Sequence, residues 1–290
     1  MRQRFSLLVA DLQLTELQKA DGYTKAFNIA KVLQAEYFED AEPSPPYWLV
    51  GSWGKATQVR PPRDLDMFFA LPWSEKARFD ARQGNVQSQL LQEVKEVLGA
   101  KYQQTTIRGD GQVVLVAFNT IAVEVVPVFL MNNRQFVMPD TNGGGQWKTV
   151  DPMAQVAAID SPDKHLNGNV RALSQIMKLW KYERNVPLKS FIIELLVTDY
   201  ITNRPYNSYD TYWYDWYVRD FFEYLKGKAN SYVLIPGVWD IYWLGDDWLS
   251  KAETAYNCAV EACKNEYNDY QYLAGEEWQK IFGNRIKTVW

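Results

Sequence analysis

The chain has 290 residues, 47% hydrophobic and 23% charged, which is enough for one large domain or two lobes with a substantial core. Its net charge of −4, with no dense Lys/Arg block, speaks against a grip on long DNA or RNA and for small charged ligands. No apolar run approaches the roughly 20 residues of a membrane span, no signal-peptide pattern opens the chain, and two cysteines give no disulfide framework, so the expected setting is the cytoplasm.

Taken in order, Phe5 to about Tyr37 reads as helix, with Asp21-Gly22 as a kink. The Pro-rich turn Ala41–Pro46 leads into an apolar strand, Tyr47 to Val50, followed at once by Gly51-Ser52. After eleven intervening residues Asp64-Leu65-Asp66 opens a second apolar run ending at Leu71. Trp73 to Leu98 reads as helix, with an apolar stripe through Val86, Leu90, Leu91, Val94 and Val97. A hairpin pairs Val113–Phe118 with Ile121–Phe129, and Arg134 to Gln146 reads as a loop with Thr141–Gly145 as its most mobile part.

After about residue 150 strands are no longer expected. Ser161-Pro-Asp163 is expected to cap a helix running to about Arg184, with Arg171, Gln175, Lys178 and Lys181 on its polar face. Asn185-Val-Pro187 breaks the chain, placing Ser190 in the first turn of the next helix, where free amides favour an anion. The aromatic stretch Tyr206–Leu225, with Trp213, Trp216, Tyr217, Phe221 and Tyr224 at helical spacing, reads as core. Gly245-Asp246-Asp247 is expected to cap the long helix that follows, and the single histidine, His165, to sit exposed at a helix start. One histidine and two cysteines exclude a Cys-rich zinc site and leave any nucleophile–histidine pair resting on His165 alone.

Strand side chains alternate, so Asp64 and Asp66 face the same way and repel each other unless a cation sits between them. Glu124 is a lone acid among β-branched neighbours, where a charge does not stay unpartnered. Two readings of it stay open: a buried bridge to Arg60 or Arg63, or membership with Asp64 and Asp66 of a metal site.

The string Gly-Ser-x4-Thr-x-Val-Arg-x3-Asp-Leu-Asp resembles the bacterial cGAS/DncV-like nucleotidyltransferases, or CD-NTases, of the polymerase-β-like superfamily. So do Glu124–Phe129, Trp147–Pro152, Met177–Lys181, Leu188–Glu194 and, more weakly, Gly275–Gly283. The resemblance implies an α+β fold: a polymerase-β-like nucleotidyltransferase core of mixed sheet and flanking helices over 1–150, a helical lobe over 151–290, and an active site in the cleft between them. It implies a synthase of cyclic di- or trinucleotide second messengers acting in anti-phage (CBASS) defence. Asp64, Asp66 and Glu124 would hold two Mg2+ ions (Mn2+ as substitute), and Gly51, Ser52, Lys178, Ser190 and Phe191 would bind nucleotide. Nucleoside triphosphates would be the substrates, with no nucleic-acid polymer and no membrane. The cognate effector would be reached through the product, alongside regulatory proteins of the same defence system. Glu124 departs from the aspartate that relatives carry, shifting its reach by one methylene. The rival functions are nucleotidyl transfer to a protein, RNA end or small molecule, and an inactive nucleotide sensor; three clustered carboxylates kept without metal speak against the last.

Overall fold

The computed structural model describes residues 2–39, 44–204 and 213–289. Two compact units are built from it: Leu14–Lys55 with Pro62–Ala154, and Met1–Gln13 with Ala56–Pro61 and Gln155–Trp290. The boundary expected at residue 150 lies near the last crossing. The three earlier crossings, after Gln13, Lys55 and Pro61, place the first helix and the short piece Ala56–Pro61 with the later helices and carry no mark in composition.

The helix expected over Phe5–Tyr37 is two helices, α1 (Arg2–Leu12) and α2 (Glu16–Tyr37). Thr15 and Gln18 form a capping box at the start of α2, each side chain bonding the other's backbone amide. Asp21-Gly22 does not kink α2. Gly22 is there because the Trp53 ring lies against it: a Cβ would stand 2.4 Å from that ring.

The first unit is a seven-stranded mixed sheet with helices on one face. In chain order it continues with β1 (Tyr47–Leu49), α3 (Gly51–Lys55), β2 (Asp64–Ala70), α4 (Trp73–Asp80) and α5 (Val86–Lys101). There follow β3 (Thr106–Asp110), β4 (Val113–Ala117), β5 (Ala122–Leu130), β6 (Phe136–Asp140) and β7 (Gln146–Val150). The strand order is β1-β2-β5-β4-β3, with β6 pairing the far end of β5 and β7 pairing β6. Only β2 and β5 run parallel, as their long crossover through α4, α5, β3 and β4 allows. The expected loop over 134–146 thus contains β6. Asn85 donates to the Thr141 carbonyl at 2.9 Å, and Gly145 leaves no room for a Cβ against Asn85 and Gln87.

Alternation along the strands sorts the two faces. Leu65, Met67, Phe69, Val114, Val116, Val123 and Val125 pack under α2 and α5. The other face carries Phe68, Ala70, Val126 and Val128, covered by Val50, Phe136 and Met138. Each such Leu, Val, Met or Phe side chain contributes roughly 1.5–3 kcal/mol by leaving water. That second cover stops short of the end of the sheet where Asp64, Asp66 and Glu124 stand.

The second unit holds α1, most of α6 (Pro152–His165), α7 (Asn169–Glu183), α8 (Ser190–Thr202), α9 (Tyr214–Lys226), α10 (Leu249–Tyr267) and α11 (Gln271–Phe282). It is not all helical: β8 (Tyr232–Leu234) and β9 (Ile241–Trp243) form a hairpin. The helix expected from Ser161 to Arg184 is instead α6, which runs through Pro162, and α7, which begins after a left-handed Gly168. Asp163 lies inside α6 rather than just before a helix, yet it caps α7: its carboxylate accepts the free Arg171 amide of the first turn at 2.9 Å and pairs with the Arg171 guanidinium at 2.6 Å. His165 is exposed at the end of α6 rather than at a helix start. Asp246 and Asp247 give α10 no side-chain cap.

In α9 Tyr217 and Phe221 are buried, whereas Trp216 stays exposed beside Trp213. The stretch 206–212, like residues 41–43, lies outside the described residues. Trp180, Trp248 and Trp278 fill the core of this unit. No helix among the described residues is long and apolar enough to cross a membrane.

Candidate active site

Residues distant in sequence meet at the open end of the sheet. The parallel register of β2 and β5 sets Asp66 directly opposite Glu124, and Asp64 opposite Ala122. Opposite residues share a face, so all three carboxylates stand on the uncovered one. The Asp66 and Glu124 carboxyls lie close enough to share a proton, and of the two Asp66 is the one their contact raises. Burial first, then the charges of Asp64 and Glu124, hold Asp66 well above the usual carboxylate range. Glu124 is also raised, by burial and then by Asp64, with the bond from Asp66 pulling it partly back.

Gly51 explains how Asp66 is seated. Its φ is +57°, and a Cβ there would fall 1.8 Å from Asp66 Oδ2, so only glycine lets the start of α3 press on the acid. The Val50 amide donates to the Asp66 carbonyl at 3.0 Å, and Trp53 Nε1 donates to the Asp64 carbonyl at 2.9 Å. Ser52 follows Gly51, half-exposed. Lys55, buried on the last turn of α3, is close enough for its charge to draw the Asp66 pKa down. Sequence reasoning missed it. The signal was there: Lys55 is four residues after Gly51, and that spacing shares a helix face.

Among the described residues no three acids, histidines or cysteines stand preset around a metal position. The donor set of Asp64, Asp66 and Glu124 still suits a divalent cation: three carboxylates on one face, all oxygen, with Asp66 and Glu124 pushed up first by burial and then by neighbouring negative charge that a hard cation would offset. Of the two open readings of Glu124, the bridge to Arg60 does not form. Arg60 pairs with Asp11 in the helical unit.

The remaining candidates lie in the helical unit. Lys178 is not on a solvated face: it is 4% exposed and its Nζ donates to the Thr57 carbonyl at 2.8 Å and to Glu194 at 2.9 Å. Gln175 is buried too, donating to the Gln58 carbonyl at 2.8 Å. Lys178 could meet a phosphate only by giving up part of this set. Lys181 keeps partial exposure, its ammonium over the Tyr182 ring. Ser190 opens α8, half-exposed, and Phe191 packs partly against the core. Asn169 is buried and accepts from the Tyr214 hydroxyl, while Asn167 takes a left-handed turn conformation at φ +54°.

An acid row on β2 and β5, entered by a Gly-Ser turn after β1, defines the nucleotidyltransferase fold. Residues 1–162 match the model of the Second Messenger Oligonucleotide or Dinucleotide Synthetase domain, and the chain belongs to that family. A curated relative, a probable cyclic nucleotide synthase of Bacillus cereus strain VD146, is 28% identical over 178 residues. That match covers 57% of this chain and 51% of the relative, so it spans about half the relative's length. Among solved structures, CdnC of E. coli MS115-1 with ATP superposes with a TM-score of 0.72 at 16% identity, covering 99% of this chain and 98% of that one. A variant of the Vibrio cholerae di-nucleotide cyclase DncV gives 0.72 at 14% identity, covering 97% and 94%. At such identities the likeness shows the fold.

Proposed function

We infer that this chain joins nucleoside triphosphates into a cyclic di- or trinucleotide with release of pyrophosphate, as a signal in anti-phage (CBASS) defence. The observation that carries the reading is the acid row: Asp66 opposite Glu124, Asp64 beside them, and Gly51 pressed on Asp66. Asp64, Asp66 and Glu124 would hold two divalent cations, with Mg2+ expected and Mn2+ as substitute. Bound there, the cations would supply the positive charge that an attacking hydroxyl and a leaving pyrophosphate require. Ser52 and the backbone at Gly51 are assigned to the β and γ phosphates of the donor. Ser190 and Phe191 are proposed nucleotide contacts of the helical unit, and Lys178 joins them only if a phosphate displaces part of its present set. Glu124 in place of Asp keeps the ligand type and changes its reach.

The family and the curated relative support the reaction class. CdnC has been solved with ATP and, separately, in a complex with a HORMA protein; by analogy we include a regulatory protein among the partners of this chain. An effector that reads the product, and a cytoplasmic site where triphosphates are abundant, complete the proposal.

The test is incubation of the purified protein with all four ribonucleoside triphosphates and Mg2+ or Mn2+, analysed by mass spectrometry. Phosphatase-resistant oligonucleotides are expected. Label appearing instead on protein, RNA ends or a small acceptor would replace this reading with transfer to that acceptor.

A further inference from the structure

The register brings a fourth residue into the acid row. It runs Asp66, Glu124, Leu115, Arg108, one residue from each of β2, β5, β4 and β3. Directly paired residues share a face, so Arg108 stands on the acids' face at the sheet edge, two strand spacings or roughly 10 Å from Glu124. The neighbouring row on that face is Asp64, Ala122, Ala117, Thr106. Leu115, Ala117 and Ala122 are half-exposed, unlike Val114, Val116 and Val123 on the covered face. A low apolar floor therefore runs from the acids to Arg108.

Arg108 is exposed, and among the described residues it makes no hydrogen bond or ion pair. Arg78 and Arg82 of the same unit, by contrast, share Glu93. The rival anion nearby is Asp110, exposed two residues along β3, and no ion pair joins the two. Arg108 and Asp110 both act on Glu124 through their charges, in opposite directions.

Nucleotidyl transfer is an in-line displacement. The hydroxyl oxygen of one nucleotide bonds to the α-phosphorus of the other, the bond from that phosphorus to the bridging oxygen breaks, and pyrophosphate leaves on the opposite side. The hydroxyl proton passes to a carboxylate of the row or to water. Gly51 and Ser52 follow β1, on one side of β2, while β5, β4 and β3 extend on the other. With donor phosphates at Gly51-Ser52, the attacking nucleotide belongs over β5, β4 and β3. Its ribose hydroxyl meets the acids, and its own 5′-triphosphate takes no part in this step. That triphosphate carries the charge Arg108 is placed to meet, through the paired hydrogen bonds a guanidinium gives phosphate oxygens. We propose that Arg108 binds the 5′-triphosphate of the attacking nucleotide, an inference that rests on the function inferred above.

The test lets unphosphorylated nucleosides compete with triphosphates as acceptors, using all four bases and separating linear products with and without a 5′-triphosphate by mass. The wild-type chain should favour the triphosphate acceptor. Arg108→Ala should lower that preference by about tenfold or more while turnover of the nucleoside acceptor stays near wild type, and Arg108→Lys should restore part of it. An unchanged preference, or equal loss with both acceptors in a variant that melts like the wild type, would overturn the role of Arg108. No nucleotide product from the wild-type chain at all would remove the underlying reading instead.

Discussion

The acid row of the sheet and the Lys178 set of the helical unit are built on opposite principles. On the sheet, Asp64, Asp66 and Glu124 are like charges brought together, which with burial holds Asp66 well above the usual carboxylate range, while the neighbouring Lys55 pulls it partly back. In the helical unit, Lys178, Glu194 and Thr57 form a closed set in which an opposite charge and hydrogen bonds satisfy the ammonium. A repelling cluster adds nothing to stability until a cation joins it, so its presence points to chemistry. A matched buried pair is consistent with a purely structural role.

The sharpest way to break this contrast is to remove charge from each set. Asp64→Asn with Asp66→Asn should reduce product formation on the order of a thousandfold or more, measured by mass spectrometry with Mg2+. The same double variant should melt no lower than wild type in metal-free buffer, because it relieves repulsion. Lys178→Ala should do the reverse in stability. It strands Glu194 without its cation and should lower the unfolding free energy by roughly 3–5 kcal/mol in denaturant titration. If Lys178→Ala unfolds like wild type and instead weakens triphosphate affinity, its present partners matter less than a phosphate contact.

Asp215 tests an intermediate case. It is buried in the first turn of α9, and neither carboxylate oxygen meets hydrogen-bond geometry among the described residues. Burial, more than any other cause, pushes it up to about 6. A folded pKa above the unfolded value favours the fold below about pH 4, and that advantage is lost as pH rises through 6. Asp215→Asn should therefore stabilise the protein by at most about 3 kcal/mol at pH 7.5 and by little at pH 4, read from unfolding curves at the two pH values. The smallest effect belongs to the exposed network of Arg78 with Glu75 and Glu93. Arg78→Ala should cost less than about 1 kcal/mol, and the loss should shrink further in high salt.

Much of the sheet could be read from alternation. The β4–β5 hairpin, the apolar run of β2 and the placement of Asp64 and Asp66 on one face follow from period-two patterning with turn residues between. Strands β6 and β7 escaped because Phe136–Asp140 and Gln146–Val150 carry Pro, Asp, Lys and Gln; their strand character comes from pairing with each other and with β5. The kink assigned to Gly22 failed for a similar reason. Its glycine answers the Trp53 ring, a neighbour from elsewhere in the chain. The single helix expected to Arg184 failed because Pro162 sits within α6 and the break falls at the left-handed Gly168.

By itself the sequence determined the residue types of the site and their local direction. The Gly-Ser turn, the Asp-Leu-Asp alternation and the lone acid of β5 are fixed by backbone rules that act over a few residues. Tertiary structure alone decided which charges became neighbours. Parallel pairing of β2 with β5 set Glu124 beside Asp66, register across four strands set Arg108 in the same row, and the joining of Ala56–Pro61 to the helical unit closed Lys178 on Thr57 and Glu194. Spacing along the chain cannot state such pairings, because desolvation and Coulomb energy depend on distance through space.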